Sequence, residues 1–240
     1  SRLASYSDTK QLITFDMGGT SSDIAVSING DPEFTTKTSI GDFPLMLPVV
    51  NVSAIGAGGG SIIWVDPQGV MKVGPLSAGA APGPISYGRG GTQPAITDCY
   101  VALGILRPEG FLGGRMRLDR EAAIAALESL GTRIGMNYAR VVAEAALRIA
   151  TAKMSTELLK ILAQRGLDPR EFTLVSYGGA GPTHASFLAD EIGVRAIMVP
   201  PSPGTLCALG AIAADLKRDY VRTVREMIDL DDTYFAERLK

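Results

Sequence analysis

The chain has 240 residues, 46% of them hydrophobic and 20% charged, with a formal net charge of −2. That length suits one large domain or two small ones with an ample core, and the composition excludes a disordered chain. Basic residues form no dense cluster, which speaks against nucleic-acid binding; no apolar run reaches the roughly 18 residues of a membrane helix; and one histidine cannot build a histidine-rich metal site.

Residues 11–17 and 23–29 read as paired strands around Asp16-Met-Gly-Gly-Thr-Ser-Ser-Asp23, a hairpin turn rather than a linker. Asn29-Gly-Asp-Pro32 is a turn signal, and residues 33–40, rich in β-formers, predict a third strand. Residues 41–118 are dense in glycine and proline but interleaved with Ile, Val, Trp and Leu, so they read as an ordered, loop-rich insertion with a strand at 62–65 and a helix-like segment at 99–106. Asp119 caps a helix over 120–130 stopped by Gly131, and a longer helix covers about 137–165. Strand 172–177, turn 178–181, helix 182–192, strand 196–199, the turn Pro200–Gly204 and helix 205–217 then alternate. Alternation of this kind implies parallel strands, and the opening hairpin makes the sheet mixed. The apolar stretch Leu206–Leu216 reads as a buried helix, and Asp219–Val224 as the start of a further strand. A start at Ser1 and this unfinished end suggest an excised domain.

In the Asp16–Asp23 turn, glycines admit close approach to the backbone, Thr20 and Ser21 offer hydroxyls, and Asp16 and Asp23 can hold a divalent cation or orient a water. A phosphate grip and a plain Gly-Gly hairpin both fit. The Gly178-Gly-Ala-Gly181 turn lies between a strand and a helix, a favoured ligand position, although a packing turn also accounts for it. His184, in the first turn of that helix, reads as a capping or packing residue before it reads as a donor to phosphate or substrate. Ile55–Ser61 fits either an anion nest or a crowded backbone crossing, and Asp98 reads as a helix cap. Cys99 and Cys207 lack metal spacing and read as buried, inert thiols of a cytoplasmic protein. With no elbow motif, no Ser-His-Asp arrangement can be argued.

Together these motifs form a recognisable set: Phe15-Asp-Met-Gly-Gly-Thr-Ser-Ser-Asp-Ile-Ala25, Ile55-Gly-Ala-Gly-Gly-Gly-Ser-Ile62, Thr97-Asp98, Tyr177-Gly-Gly-Ala-Gly-Pro-Thr-His-Ala185 and Pro200-Pro-Ser-Pro-Gly204. Over about residues 11–224 the chain resembles the hydantoinase A / 5-oxoprolinase family, ATP-dependent enzymes that open cyclic amides. The resemblance implies an actin-like ATPase domain of ribonuclease H-like fold, with core 11–40 and 119–220, insertion 41–118, and a following segment from 225. It implies ATP and Mg2+ as cofactors. Asp16 would hold the metal and, with Asp23, serve the chemistry. Gly18, Gly19, Thr20 and Ser21 would grip phosphate, and Gly178, Gly179, Ala180 and Gly181, with His184, would hold adenosine. A cyclic amide substrate, a hydantoinase B-like subunit or domain, and an oligomer of the full-length form are implied as partners. A ketone carboxylase subunit and a non-catalytic nucleotide-binding module remain as alternatives. The family's other phosphate loop, a similar Asp-x-Gly-Gly-Thr sequence, has no second copy in these residues, so the isolated chain is expected to bind nucleotide weakly and to open no ring.

Overall fold

The computed structural model describes residues 9–45 and 48–214. Two predicted features, the strand start at Asp219–Val224 and the segment from 225, lie outside the described residues.

Strand β1 (Leu12–Met17) lies at the centre of a six-stranded mixed sheet. It runs antiparallel to β2 (Ser22–Ile28), which pairs in turn with β3 (Asp31–Pro32) at one end. Asn29 and Gly30 join β2 to β3 with φ of 57° and 89°, the left-handed geometry that a two-residue hairpin turn requires. Residues 33–40 do not form the single predicted strand. They break into β4 (Phe34–Thr35), which pairs with β7 (Val49–Val50), and β5 (Thr38–Ile40), which pairs with β6 (Phe43–Leu45). The segment is rich in β-formers but has no alternating apolar face to hold it to a core. The other end of β2 pairs with β8 (Val52–Ile55), so residues from the expected insertion enter the central sheet directly. A separate ribbon, β9 (Ser61–Val65) with β10 (Met71–Ser77), follows.

On its other side β1 pairs in parallel with β11 (Thr173–Tyr177), and β11 with β12 (Ala196–Met198). The α-helices among the described residues are α1 (Ile96–Ala102), α2 (Arg120–Thr132), α3 (Ala139–Gln164), α4 (Gly181–Ile192) and α5 (Leu206–Ala213). Asp119 caps α2 by accepting from the Ala122 amide at 2.9 Å. Helix α1 begins three residues before the predicted 99–106 segment.

Period-two alternation sorts the sheet residues. Ile13, Phe15, Met17, Ile24, Val26 and Leu174 enter one core with the apolar stripe of α3 (Val142, Ala146, Leu147, Met154, Leu158, Leu162) and with Leu188 and Ile192 of α4. Leu12 and Val175 face the opposite way, against Tyr177 and Met198. Thr14, Asp16 and Asp23 share this second face by the same alternation. Helix α5 corrects its prediction: Leu209 and Ile212 are 59% and 84% exposed, and no residue of α5 is buried. Hydrophobicity alone predicted burial, but burial needs a covering surface, and the described residues offer α5 none.

Candidate functional site

Asp16 stands near the carboxyl end of β1, directly opposite Asp23 on β2, with Met17 opposite Ser22. Gly18 to Ser21 close the turn between them, with the Gly18 amide donating to the Ser21 carbonyl at 3.0 Å. Gly19 and Thr20 are exposed, and among the described residues the Thr20 and Ser21 hydroxyls have no hydrogen-bond partner. The Asp23 carboxyl is raised above its ordinary range, first by burial and then by the charge of Asp16.

The Gly178–Gly181 turn sits against this hairpin. Ala180 donates its amide to the Met17 carbonyl at 2.8 Å, and Gly178 donates to the Pro203 carbonyl at 3.0 Å. Gly178 has φ of 85°. A Cβ there would lie 2.5 Å from the Met17 carbonyl oxygen and closer still to Asp16 Oδ1. Parallel pairing of β1 with β11 brings both loops to one sheet edge, the edge at which α/β sheets place ligands. Proline at the second position of α4 starts the helix without losing a needed donor.

The Gly56–Ser61 loop crosses the hairpin turn, which decides between its two readings. The amides of Gly59 and Gly60 donate to the carbonyls of Gly18 and Gly19 at 3.0 and 2.6 Å, so neither is free for an anion. A Cβ on Gly60 would lie 2.7 Å from the Gly19 oxygen; only glycine fits so close a crossing. Thr97 fixes the loop from the other side, donating from Oγ1 to the Gly59 carbonyl at 2.8 Å. Asp98 is fully buried and accepts from the amides of Ser86, Ala95 and Ile85 at 2.8, 2.8 and 3.2 Å. It both caps α1 and ties down the 78–95 loop.

These elements enclose a cleft of about 180 Å³. Gly19, Gly60, Gly179 and Ala180 line it together with Tyr87, Tyr100 and Phe111. A larger groove of about 870 Å³ lies on the outer side of the helices, lined by Arg140, Arg148 and Phe187; none of the glycine-loop residues borders it.

His184 follows its packing reading, and Cys207 departs from its own. His184 does not face a ligand. It is fully buried, its Nδ1 lies 2.7 Å from the Tyr100 hydroxyl, and its Nε2 lies 3.2 Å from Thr151 Oγ1. Burial pushes its pKa down to about 4, so it is neutral at pH 7. The packing reading accounts for it, and its inclusion among the adenosine-binding residues is corrected. Cys99 is buried as expected, but Cys207 is exposed and its thiol donates to Asp16 Oδ2 at 2.8 Å. That hydrogen bond, with burial and the charges of Asp16 and Asp23, pushes the thiol up to about 11. Apolar neighbours in sequence suggested an inert core cysteine. Its position just after the Pro200–Gly204 turn, at the same sheet edge as Asp16, was the available signal. Among the described residues no group of three His, Cys, Asp or Glu side chains is arranged for a metal, and no helix is long and apolar enough to cross a membrane.

A mixed sheet flanked by helices, with an acidic hairpin and a glycine turn meeting at its edge, defines an α/β fold of the actin-like ATPase type. The ATP-dependent caprolactamase of Pseudomonas jessenii matches it with a TM-score of 0.81 at 38% identity, covering 90% of this chain and 31% of that one. In sequence, the caprolactamase alpha subunit of that organism is 39% identical over 219 residues, 91% of this chain and 31% of its own length. The acetophenone carboxylase gamma subunit of Aromatoleum aromaticum is 34% identical over 220 residues, 90% of this chain and 30% of its own length. The hydantoinase/oxoprolinase family model matches residues 1–220. The chain belongs to the hydantoinase/oxoprolinase family and spans about a third of the length of these relatives.

Proposed function

We propose that this chain is the nucleotide-binding unit of an ATP-dependent cyclic amide hydrolase. The observation that carries the reading is the junction of the two loops: the Ala180 amide on the Met17 carbonyl sets the Asp16 hairpin and the Gly178 turn side by side at one sheet edge. Gly19, Thr20 and Ser21 grip phosphate through the exposed Gly19–Thr20 backbone and the unengaged hydroxyls, while Gly18, with its amide on Ser21 and its carbonyl on Gly59, shapes the turn. Gly178, Gly179, Ala180 and Gly181 hold adenosine, with its ring in the cleft walled by Tyr87, Tyr100 and Phe111.

A magnesium ion fits the residues present. Two carboxylates face each other across β1 and β2, and Asp23 is raised first by burial and then by the charge of Asp16; a divalent cation on Asp16 would offset that repulsion. When bound, such an ion neutralises phosphate charge. Asp16 is held by Cys207 on one oxygen and abuts Gly178 with the other. Asp23 orients water or substrate from the facing strand. Transfer of the terminal phosphoryl group to an amide oxygen of a five-membered lactam or imide activates the ring for opening. Such transfer depends mainly on positioning and charge stabilisation, which amides and hydroxyls supply. A hydantoinase B-like subunit or domain completes the hydrolytic step, the full-length protein works as an oligomer, and the reaction belongs to the cytoplasm, in keeping with two free cysteines.

The likeness to an acetophenone carboxylase subunit supports a second reading, an ATP-dependent ketone carboxylase. Steady-state ATP hydrolysis by the full-length protein separates them. The first reading expects stimulation by a cyclic amide, and the second by a ketone with bicarbonate. Nucleotide binding with no turnover under either condition would leave only a non-catalytic module.

A further inference from the structure

The cleft beside the two loops is lined mainly by glycines and apolar side chains, so its few side-chain hydroxyls decide what it can hold in register. They belong to Tyr87, Thr97, Tyr100 and Thr183. Two are spent within the protein. Thr97 donates from Oγ1 to the Gly59 carbonyl at 2.8 Å, and the Tyr100 hydroxyl lies 2.7 Å from His184 Nδ1. The hydroxyls of Tyr87 and Thr183 have no hydrogen-bond partner among the described residues.

Thr183 stands apart from the other helical threonines. Thr132, Thr151 and Thr156 each give the hydroxyl proton to a carbonyl three or four residues back, at 2.8, 2.8 and 2.7 Å. Thr183 is the third residue of α4, and the carbonyl three residues back is that of Ala180. That oxygen already accepts the amides of Thr183 and His184 at 3.1 and 3.2 Å, which uses both of its lone pairs. His184 lies about 100° further round the helix and is fully buried in the core. Thr183 is half-buried and borders the cleft beside Gly179 and Ala180, with its hydroxyl uncommitted.

The nucleotide reading puts phosphate on Gly19 and Thr20 and the base beside Gly179 and Ala180. Ribose is the covalent link between the two, and Thr183 follows directly on the turn at the base end. We propose that Thr183 binds a ribose hydroxyl and selects ribonucleotides over deoxyribonucleotides. A ribose hydroxyl and a threonine hydroxyl each donate and accept, so the pair forms in either direction. A deoxyribose presents only hydrogen there and leaves a half-buried hydroxyl unpaired, which is how a site rejects an analogue that lacks one polar group. The inference rests on the nucleotide reading of the cleft and adds the sugar to it.

The test is calorimetric titration of the full-length protein with the magnesium complexes of ATP, 2′-deoxy-ATP and 3′-deoxy-ATP. Wild type should bind ATP about fivefold more tightly than the analogue lacking the contacted hydroxyl, the worth of one neutral hydrogen bond. Thr183→Val keeps the shape and removes the hydroxyl. It should lower ATP to the affinity of that analogue and leave the analogue's own affinity unchanged. Thr183→Ser, which keeps the hydroxyl, should restore the preference. Wild type binding all three nucleotides equally overturns the inference. So does a Thr183→Val variant that keeps the wild-type preference, or one that weakens all three by the same factor, as a merely structural role would. If Thr183→Val does not fold, Thr183→Ala takes its place. Failure of wild type to bind any of the three overturns the underlying nucleotide reading instead.

Discussion

Gly178 and Gly179 are neighbours in one turn, yet alanine at the two positions should have very different effects. Gly178 has φ of 85°, a conformation that costs an L-residue about 1–2 kcal/mol. Its added Cβ would also meet the Met17 carbonyl at 2.5 Å and crowd Asp16 Oδ1; forced overpacking of this kind costs about 1–3 kcal/mol. Neither neighbour can move freely. The Met17 carbonyl accepts the Ala180 amide at 2.8 Å, and Asp16 is held by Cys207 at 2.8 Å. Gly178→Ala should therefore destabilise the fold by about 2–5 kcal/mol. At Gly179 a Cβ meets nothing within 4 Å and φ is not in the left-handed region, so Gly179→Ala should cost less than about 0.5 kcal/mol. Urea denaturation of the two variants beside wild type measures both. A Gly178→Ala variant as stable as Gly179→Ala would refute the close contact between the glycine turn and Asp16.

Three further outcomes follow from the same contacts. His184 titrates at about 4 in the fold against an ordinary 6.5, so the unfolded chain takes up a proton that the folded one refuses; about 3 kcal/mol of stability should drain away as pH falls from 7 to 4, and His184→Gln should lack that slope in pH-dependent denaturation. Asp98→Asn replaces an acceptor oxygen with an NH2 group facing amides that already donate there; thermal or urea melts should show a loss of about 1–3 kcal/mol. Cys207 is exposed but its thiol is pushed up to about 11, first by the hydrogen bond to Asp16. Asp16→Asn should speed its alkylation by iodoacetamide at pH 8, while buried Cys99 stays silent in peptide mapping.

The hairpin, the alternating strands and helices, and the long α3 helix were legible because periodicity and turn residues encode them locally. That the acidic turn and the glycine turn meet at one sheet edge came only from the parallel pairing of β1 with β11, which the alternation in the last third does not specify. The broken 33–40 segment was not legible, because β-propensity says nothing about what a strand packs against. The role of Gly58–Gly60 was undecided in sequence: an anion nest and a close crossing demand the same glycines, and only the carbonyls of Gly18 and Gly19 distinguish them. His184 kept the packing place its residue context suggested, whereas Cys207 left the core for the surface. Whether a side chain at a helix start faces inward or outward depends on the angle at which the helix leaves the sheet, and local sequence does not specify that angle.

The most direct test of the account is a crystal structure of the full-length protein with magnesium and a non-hydrolysable ATP analogue. The account predicts phosphate oxygens at about 3 Å from the Gly19 and Thr20 backbone or hydroxyl groups, the cation on Asp16, and the adenine ring between Gly179–Ala180 and Tyr100. A nucleotide seated away from both loops, for example in the groove beside Arg140 and Arg148, would contradict it.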